Sequence, residues 1–257
     1  MLTLDSLVSG YSNSRGVVVE AVSLSLPAGA FVCVIGRNGA GKSTLMRTIS
    51  GLQSALSGTV ALSGLSISEM SAPDRARAVS VVTTERVSSP GMRALDVVQL
   101  GRQPFTDWRG QIAENDHTIV TEALAAAGAT QFAPVAVDSL SDGERQRVMI
   151  ARALAQTSRV MVLDEITAFL DLPGRVEMMA LLRRHARESG KIVLLSSHDL
   201  ELSLELAEYL WIVDDGALKH GSPAELMVSG AIAHAFDSQD VAFDGAAHRF
   251  KLRAVGA

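Results

Sequence analysis

The run Gly36-Arg37-Asn38-Gly39-Ala40-Gly41-Lys42-Ser43-Thr44 has the residue types and spacing to hold a triphosphate. Glycine lets consecutive backbone N–H groups turn inward around a β-phosphate, where a Cβ would obstruct them. Lys42 places a point charge toward the β- and γ-phosphates, and the Ser43 hydroxyl can ligate Mg²⁺. The bland alternative is an ordinary glycine-rich strand-to-helix turn. An apolar strand, the full pattern and a helix occur here in order, and that coincidence favours a nucleoside triphosphate site.

Three further groups could take part. Val160-Met161-Val162-Leu163-Asp164-Glu165 is an apolar strand ending in two carboxylates. Ligands of open α/β sheets bind at the carboxyl ends of strands. There Asp164 is placed to hold Mg²⁺, directly or through water, and Glu165 to polarise the water attacking a γ-phosphate. Two acids capping a surface strand is the competing reading, outweighed by the phosphate loop upstream. In Leu140-Ser141-Asp142-Gly143-Glu144-Arg145-Gln146-Arg147, Ser141 and Glu144 have capping-box spacing ahead of a helix expected over 148–156. Such a terminus also offers a second anion site. Out on an inserted lobe it would serve the γ-phosphate of a second copy, making dimerisation part of catalysis. His198 follows a strand over 192–197 and precedes Asp199. A lone histidine is more often structural, but at a strand's carboxyl end it can reach and sense the γ-phosphate. Tyr11, in a loop with Gly10, Asn13 and Gly16, either stacks on an adenine ring or packs locally. Both options stay open.

These groups need a scaffold, and hydrophobic periodicity supplies one. Phe31-Val32-Cys33-Val34-Ile35 predicts a buried strand entering the loop, and 44–49 the helix leaving it. Residues 2–26 predict β-structure with alternating apolar positions, and 58–62 and 78–82 two more strands. From 86 to 157 the pattern turns helical, at 96–101 and 115–127 around an irregular stretch over 102–110, which predicts an inserted lobe. Strands at 160–165, 191–196 and 209–213 alternate with helices at 173–188 and 199–207, as in a mainly parallel sheet. Ser222-Pro223-Ala224-Glu225 opens the tail with a second capping box. The expected fold is one α/β domain, 1–257. Its core is 1–85 and 158–220, its lobe 86–157, and its C-terminal extension 221–257. No internal repeat or low-complexity linker is visible.

The 257 residues suffice for a substantial core. The net charge of −5 gives no basic signature for nucleic acid. No uninterrupted apolar run reaches about 18 residues, as a bilayer span requires. The N-terminus lacks a basic region followed by an apolar core, so a signal peptide is not expected. Cys33 is the only cysteine and lies in the strand before the loop. A buried, inert thiol in a reducing cytoplasm is the expectation.

The ordered set resembles the ATP-binding subunit of ATP-binding-cassette (ABC) transporters, from about residue 2 to 220. Tyr11 matches the adenine-stacking aromatic, 36–44 the Walker A loop, 140–144 the signature motif and 160–164 Walker B. Glu165 matches the catalytic glutamate, Ala168-Phe169-Leu170-Asp171 the D-loop and His198 the switch histidine. The resemblance implies a P-loop NTPase core with an N-terminal antiparallel β-subdomain and a helical lobe. It further implies a homodimer sandwiching two ATP with Mg²⁺, each between one Walker A loop and the partner's signature. Implied partners are two transmembrane permease subunits and, indirectly, an extracytoplasmic substrate-binding protein. The implied location is peripheral, on the cytoplasmic face of the cell membrane. Gly101-Arg102-Gln103-Pro104-Phe105, with Trp108 and Gly110, resembles the lobe of importers for iron chelates, haem and cobalamin.

Three motifs depart from the family pattern. The signature carries Asp142 and Glu144 where Gly and Gln are commoner, and Ile166 replaces a proline after the catalytic glutamate. The Q-loop glutamine is missing from Val82-Thr83-Thr84-Glu85-Arg86, where Glu85 is the candidate substitute metal ligand and Thr84 offers a hydroxyl. A soluble ABC ATPase acting on DNA or ribosomes is the rival. The sequence shows no coiled-coil insertion, second cassette or basic patch to favour it.

Overall fold

The computed structural model describes residues 1–13, 16–83, 91–106 and 114–253. The alternating N-terminal segment forms β1 (Leu2–Gly10) and β2 (Val17–Leu26), paired antiparallel with Leu2 opposite Leu26. β3 (Phe31–Ile35) is wholly buried and feeds the phosphate loop, from which α1 (Lys42–Ile49) departs. β4 (Ser57–Leu62) returns beside β1 and β5 (Leu65–Ser66) beside β4, completing an antiparallel sheet of order β2-β1-β4-β5.

α2 (Ala72–Ala78) leads into β6 (Val79–Val82). The lobe follows, with α3 (Ala94–Gln99), a 3₁₀ segment (Leu100–Phe105), α4 (Glu114–Ala126) and α5 (Asp142–Ala155). The signature helix therefore begins at Asp142, not at 148 as the periodicity suggested. Ser141 caps it, and Asp142 and Glu144 occupy the first turn, where the helix dipole favours acids. Buried Arg102 knits the lobe together. It donates to Asp116 Oδ1 at 2.8 Å, to the Ala155 carbonyl at 2.8 Å and to Thr157 Oγ1 at 2.9 Å, and its guanidinium lies 4.1 Å over the Phe105 ring.

The chain re-enters the core with β7 (Val160–Asp164), α6 (Leu172–Ser189), β8 (Ile192–Ser196), α7 (Leu200–Leu206), β9 (Tyr209–Asp214) and β10 (Ala217–Gly221). The central sheet has the order β10-β9-β3-β8-β7-β6, parallel except at β10. Strand alternation divides its two faces. Val32 and Val34 join α1 and the antiparallel sheet in one core, while Phe31, Cys33 and Ile35 join α5 and α6 in another. Cover on both faces is why β3 is apolar at every position and why β7 and β8 are apolar up to their carboxyl ends. Cys33 is fully buried as expected, and burial pushes its thiol up to about 12.

The C-terminal extension is more ordered than its sequence suggested. α8 (Pro223–Val228) carries the expected capping box. α9 (Ala231–Phe236) and a hairpin of β11 (Val241–Asp244) and β12 (Arg249–Leu252) were not anticipated. Glu85, Thr84 and Arg86, and likewise Trp108 and Gly110, lie outside the described residues.

Candidate nucleotide site

The phosphate loop lies between β3 and α1, and its glycines are where the backbone demands them. Gly36 has φ 154°, and a Cβ there would meet the Val213 carbonyl oxygen at 2.3 Å. Gly41 has φ 108°, and a Cβ would strike Val18 Cγ1 at 2.2 Å. Either substitution would open the loop. Lys42 turns back into its own loop, donating to the carbonyls of Gly36 at 3.0 Å and Arg37 at 3.3 Å. Burial lowers its ammonium pKa, with the carboxylates of Glu165 and Asp164 acting against that shift. Asn38, Gly39 and residues 41–44 line a cleft of about 390 Å³ whose opposite wall is Glu165 and His198. Ala40 packs inward against the core beside α1.

Parallel pairing of β3, β8 and β7 brings the second wall into place. Register sets Asp164 opposite Ser196 at the carboxyl ends of β7 and β8. Ser196 Oγ donates to Asp164 Oδ1 at 2.6 Å and accepts the Glu165 amide at 2.8 Å. This fully buried hydroxyl, which sequence reasoning passed over, orients both acids. A serine closing an otherwise apolar strand was the available signal. Glu165 itself has φ 53°, a left-handed conformation costly for a side-chain-bearing residue and held here by its surroundings. Its Oε1 lies 2.8 Å from His198 Nε2 and 3.8 Å from Lys42 Nζ. Asp164 is buried next to Lys42, and Ser43, in the first turn of α1, lines the cleft. Their hydroxyl and carboxylate are hard oxygen donors of the kind Mg²⁺ takes alongside phosphate and water.

Tyr11 sits at this site, its hydroxyl 3.2 Å from Thr44 Oγ1, so it adjoins the start of α1. The remaining expected residues are elsewhere. Ser141 and Glu144 form a closed capping box: Glu144 Oε2 accepts from the Ser141 amide at 2.9 Å and from its hydroxyl at 2.8 Å. Those bonds hold the Glu144 carboxyl below its usual range. Asp142 pairs with Arg145 at 3.0 Å. A Cβ on Gly143 would meet the Phe169 carbonyl oxygen at 3.2 Å, so glycine lets α5 approach the loop after β7. Asp171 caps α6, its Oδ1 accepting the Gly174 amide at 3.1 Å. Neither Asp171 nor residues 141–144 line the cleft of Lys42 and Glu165. Ile166, in place of proline, is fully buried.

Comparison with known proteins agrees with this geometry. Residues 19–168 match the family described as "ABC transporter". The achromobactin transport ATP-binding protein of Dickeya dadantii is 35% identical over 92% of this chain and 87% of its own length. The iron(3+)-hydroxamate import ATP-binding protein of Bacillus subtilis is 33% identical over 91% of this chain and 87% of its own. Among solved structures, a dimeric bacterial ABC transporter cassette superposes with a TM-score of 0.76 at 26% identity, covering 87% of this chain and 99% of that one. A loop built to hold phosphate, acids oriented at adjacent strand ends, an inserted helical lobe and full-length likeness all converge: the chain belongs to the ABC transporter family, as an ATP-binding and ATP-hydrolysing subunit.

Proposed function

We propose that two copies of this chain close head to tail around two ATP with Mg²⁺ and drive import of an iron chelate through a membrane permease. One observation carries the dimer. The cleft holds Lys42, Glu165 and His198, while the α5 N-terminus at Ser141, proposed as the second anion site, lies elsewhere on the same chain. A site split this way is completed by a second copy. Phe169, whose carbonyl lies beside Gly143 in α5, and Leu172 at the start of α6 are 49% and 62% exposed, apolar groups suited to such a contact.

Within each half-site Lys42 and the loop amides bind the phosphates, and Ser43 and Asp164 would hold Mg²⁺, which would supply Lewis-acid stabilisation of charge on the γ-phosphate. Glu165 orients the attacking water and receives its proton, and His198 fixes Glu165 while facing the γ-phosphate. Tyr11, beside Thr44 at the start of α1, would stack on the adenine ring. Ser141, with Asp142, Gly143 and Glu144 on its helix, and Asp171 on the neighbouring loop, would close on the partner's nucleotide.

The chelate assignment rests on the 101–105 motif and on the iron(3+)-hydroxamate import relative. Phe105, stacked on Arg102, stands at the rim of a groove of about 660 Å³ between the lobe and the antiparallel sheet, where Leu65 and Met70 also surface. That groove is the proposed permease contact, on the cytoplasmic face of the membrane. A binding protein outside would deliver the substrate, and nucleic acid has no part. Reconstitution with the copurifying permease tests the assignment: ferric hydroxamate uptake should require ATP and fall in Phe105→Ala, with basal hydrolysis retained. Uptake of cobalamin alone would reassign the cargo, and unchanged uptake in Phe105→Ala would move the contact.

A further inference from the structure

The C-terminal module, 222–253, takes no part in the chemistry above, yet it meets the phosphate loop at one point. α9 packs against β9, burying Ala231, Ile232 and Ala235. Its last residue, Phe236, walls a cavity of about 270 Å³ together with Arg37, Asn38 and His198. At the next position, the Asp237 carbonyl accepts a hydrogen bond from Arg37 Nη2 at 3.3 Å. The carbonyl of the same Arg37 accepts from Lys42 Nζ, also at 3.3 Å. One loop residue is thus bonded on one side to the module and on the other to the phosphate-binding lysine.

The Asp237 carbonyl is itself held in place. Its carboxylate accepts the Phe243 amide at 2.8 Å and pairs with Arg253 at 2.8 Å. Phe250 packs edge-on against Phe236 at 6.2 Å and Phe243 at 5.5 Å, joining the hairpin to α9. The hairpin therefore decides where that carbonyl points. On the loop's other side Gly36 is pressed against Val213, as its 2.3 Å Cβ approach shows. The loop's first residue is confined by β9 and its second by the module.

We propose that the C-terminal module is a brace for the phosphate loop, acting through Arg37 as a positioning residue. Holding Arg37 holds a carbonyl in the ring of acceptors around Lys42, so the loop is ordered before a triphosphate enters it. Pre-ordering lowers the entropic cost of binding; the module reaches the cavity lined by His198 through Phe236 of α9, while no residue of it lines the cleft of Glu165. The module thereby governs affinity for ATP rather than the rate of hydrolysis at saturation.

The test uses the full chain. Phe250→Ala unlinks hairpin from α9 without touching the nucleotide cleft, and Arg37→Met removes the donor while leaving the module intact. Each should raise the KM for ATP about three- to tenfold, the size of one ordinary lost hydrogen bond, and in Phe250→Ala, which lies outside the phosphate loop, kcat should change less than about twofold. Because both break one link, the double variant should be no worse than the poorer single variant. Arg37→Lys, which keeps a donor, should recover part of the loss. Hydrogen exchange at residues 36–41 should quicken in Phe250→Ala. If Phe250→Ala fails to fold, Arg253→Met replaces it, removing the pair with Asp237 and a 3.5 Å bond to the Val241 carbonyl within the hairpin. Wild-type KM and loop exchange in the hairpin variant, or effects that multiply in the double variant, overturn the brace.

Discussion

His198 Nε2 stands 2.8 Å from Glu165 Oε1, and the same oxygen is 3.8 Å from Lys42 Nζ. One carboxylate oxygen is therefore shared by the lysine of the phosphate loop and the histidine after β8. The left-handed backbone at Glu165 aims the side chain into this position, and three separate segments of the chain meet there.

Replacing the carboxylate by its amide, Glu165→Gln, preserves size and removes the base. ATP hydrolysis should fall about 10²–10⁴-fold, the usual contribution of a positioned general base. ATP binding should survive, since Lys42 and the loop amides are intact. Sedimentation of this variant with ATP should show a dimer that its absence dissolves. Turnover near the wild-type rate would remove Glu165 from the mechanism.

Ser196→Ala leaves the Glu165 amide without its acceptor and Asp164 without its donor, inside a fully buried site. The cost to stability should be about 1–3 kcal/mol, as for a buried group left unpaired. Hydrolysis should fall about tenfold, because both acids lose their orientation by roughly one charge-assisted hydrogen bond. Denaturant unfolding and steady-state kinetics measure the two effects. An active, fully stable variant would show that the backbone at Glu165 is held by something else.

Much of this was legible from local pattern. The phosphate loop, the strands around it, both capping boxes and the order of the acid-bearing segments follow from spacing and periodicity within single elements. Ser196 was missed because its importance arises from parallel register with Asp164, a contact 32 residues away in sequence. The helix start at Asp142 was misplaced because Arg145, Gln146 and Arg147 break the apolar periodicity that marks the rest of α5. The hairpin of β11 and β12 was invisible for a third reason: its strands have four residues each, and their packing depends on three phenylalanines drawn from separate segments.

His185 on α6 supplies an acid-sensitive element remote from the nucleotide. Burial, and secondarily the charge of Lys191, lower its pKa from 6.5 to about 4. As pH drops below the ordinary histidine value, the unfolded chain takes up a proton that the folded chain refuses. Stability attached to this group is therefore complete above about pH 6.5 and declines as pH falls toward 4. His185→Leu should flatten that decline, narrowing the gap between melting temperatures at neutral and mildly acidic pH. An unchanged gap would assign the acid sensitivity to other groups.

Glu144 poses the sharpest electrostatic question. It stands in the first turn of α5 and accepts from both the amide and the hydroxyl of Ser141, the group proposed to meet the partner's γ-phosphate. Its carboxyl is held below the usual range by those bonds, so it carries full negative charge at neutral pH. An anion arriving at Ser141 meets that charge. Glu144→Gln keeps a capping-box acceptor, since glutamine serves at this position, and removes the repulsion. Like charges repel only weakly in water, so the ATP-dependent dimer should tighten by a few-fold. The gain should shrink at high salt and hold steady across the neutral range, because the wild-type carboxylate protonates only at acidic pH. Sedimentation in the Glu165→Gln background, with and without Glu144→Gln, measures it. A weaker dimer would mean that the carboxylate accepts a bond from the partner, and an unchanged one that Ser141 does not face the nucleotide.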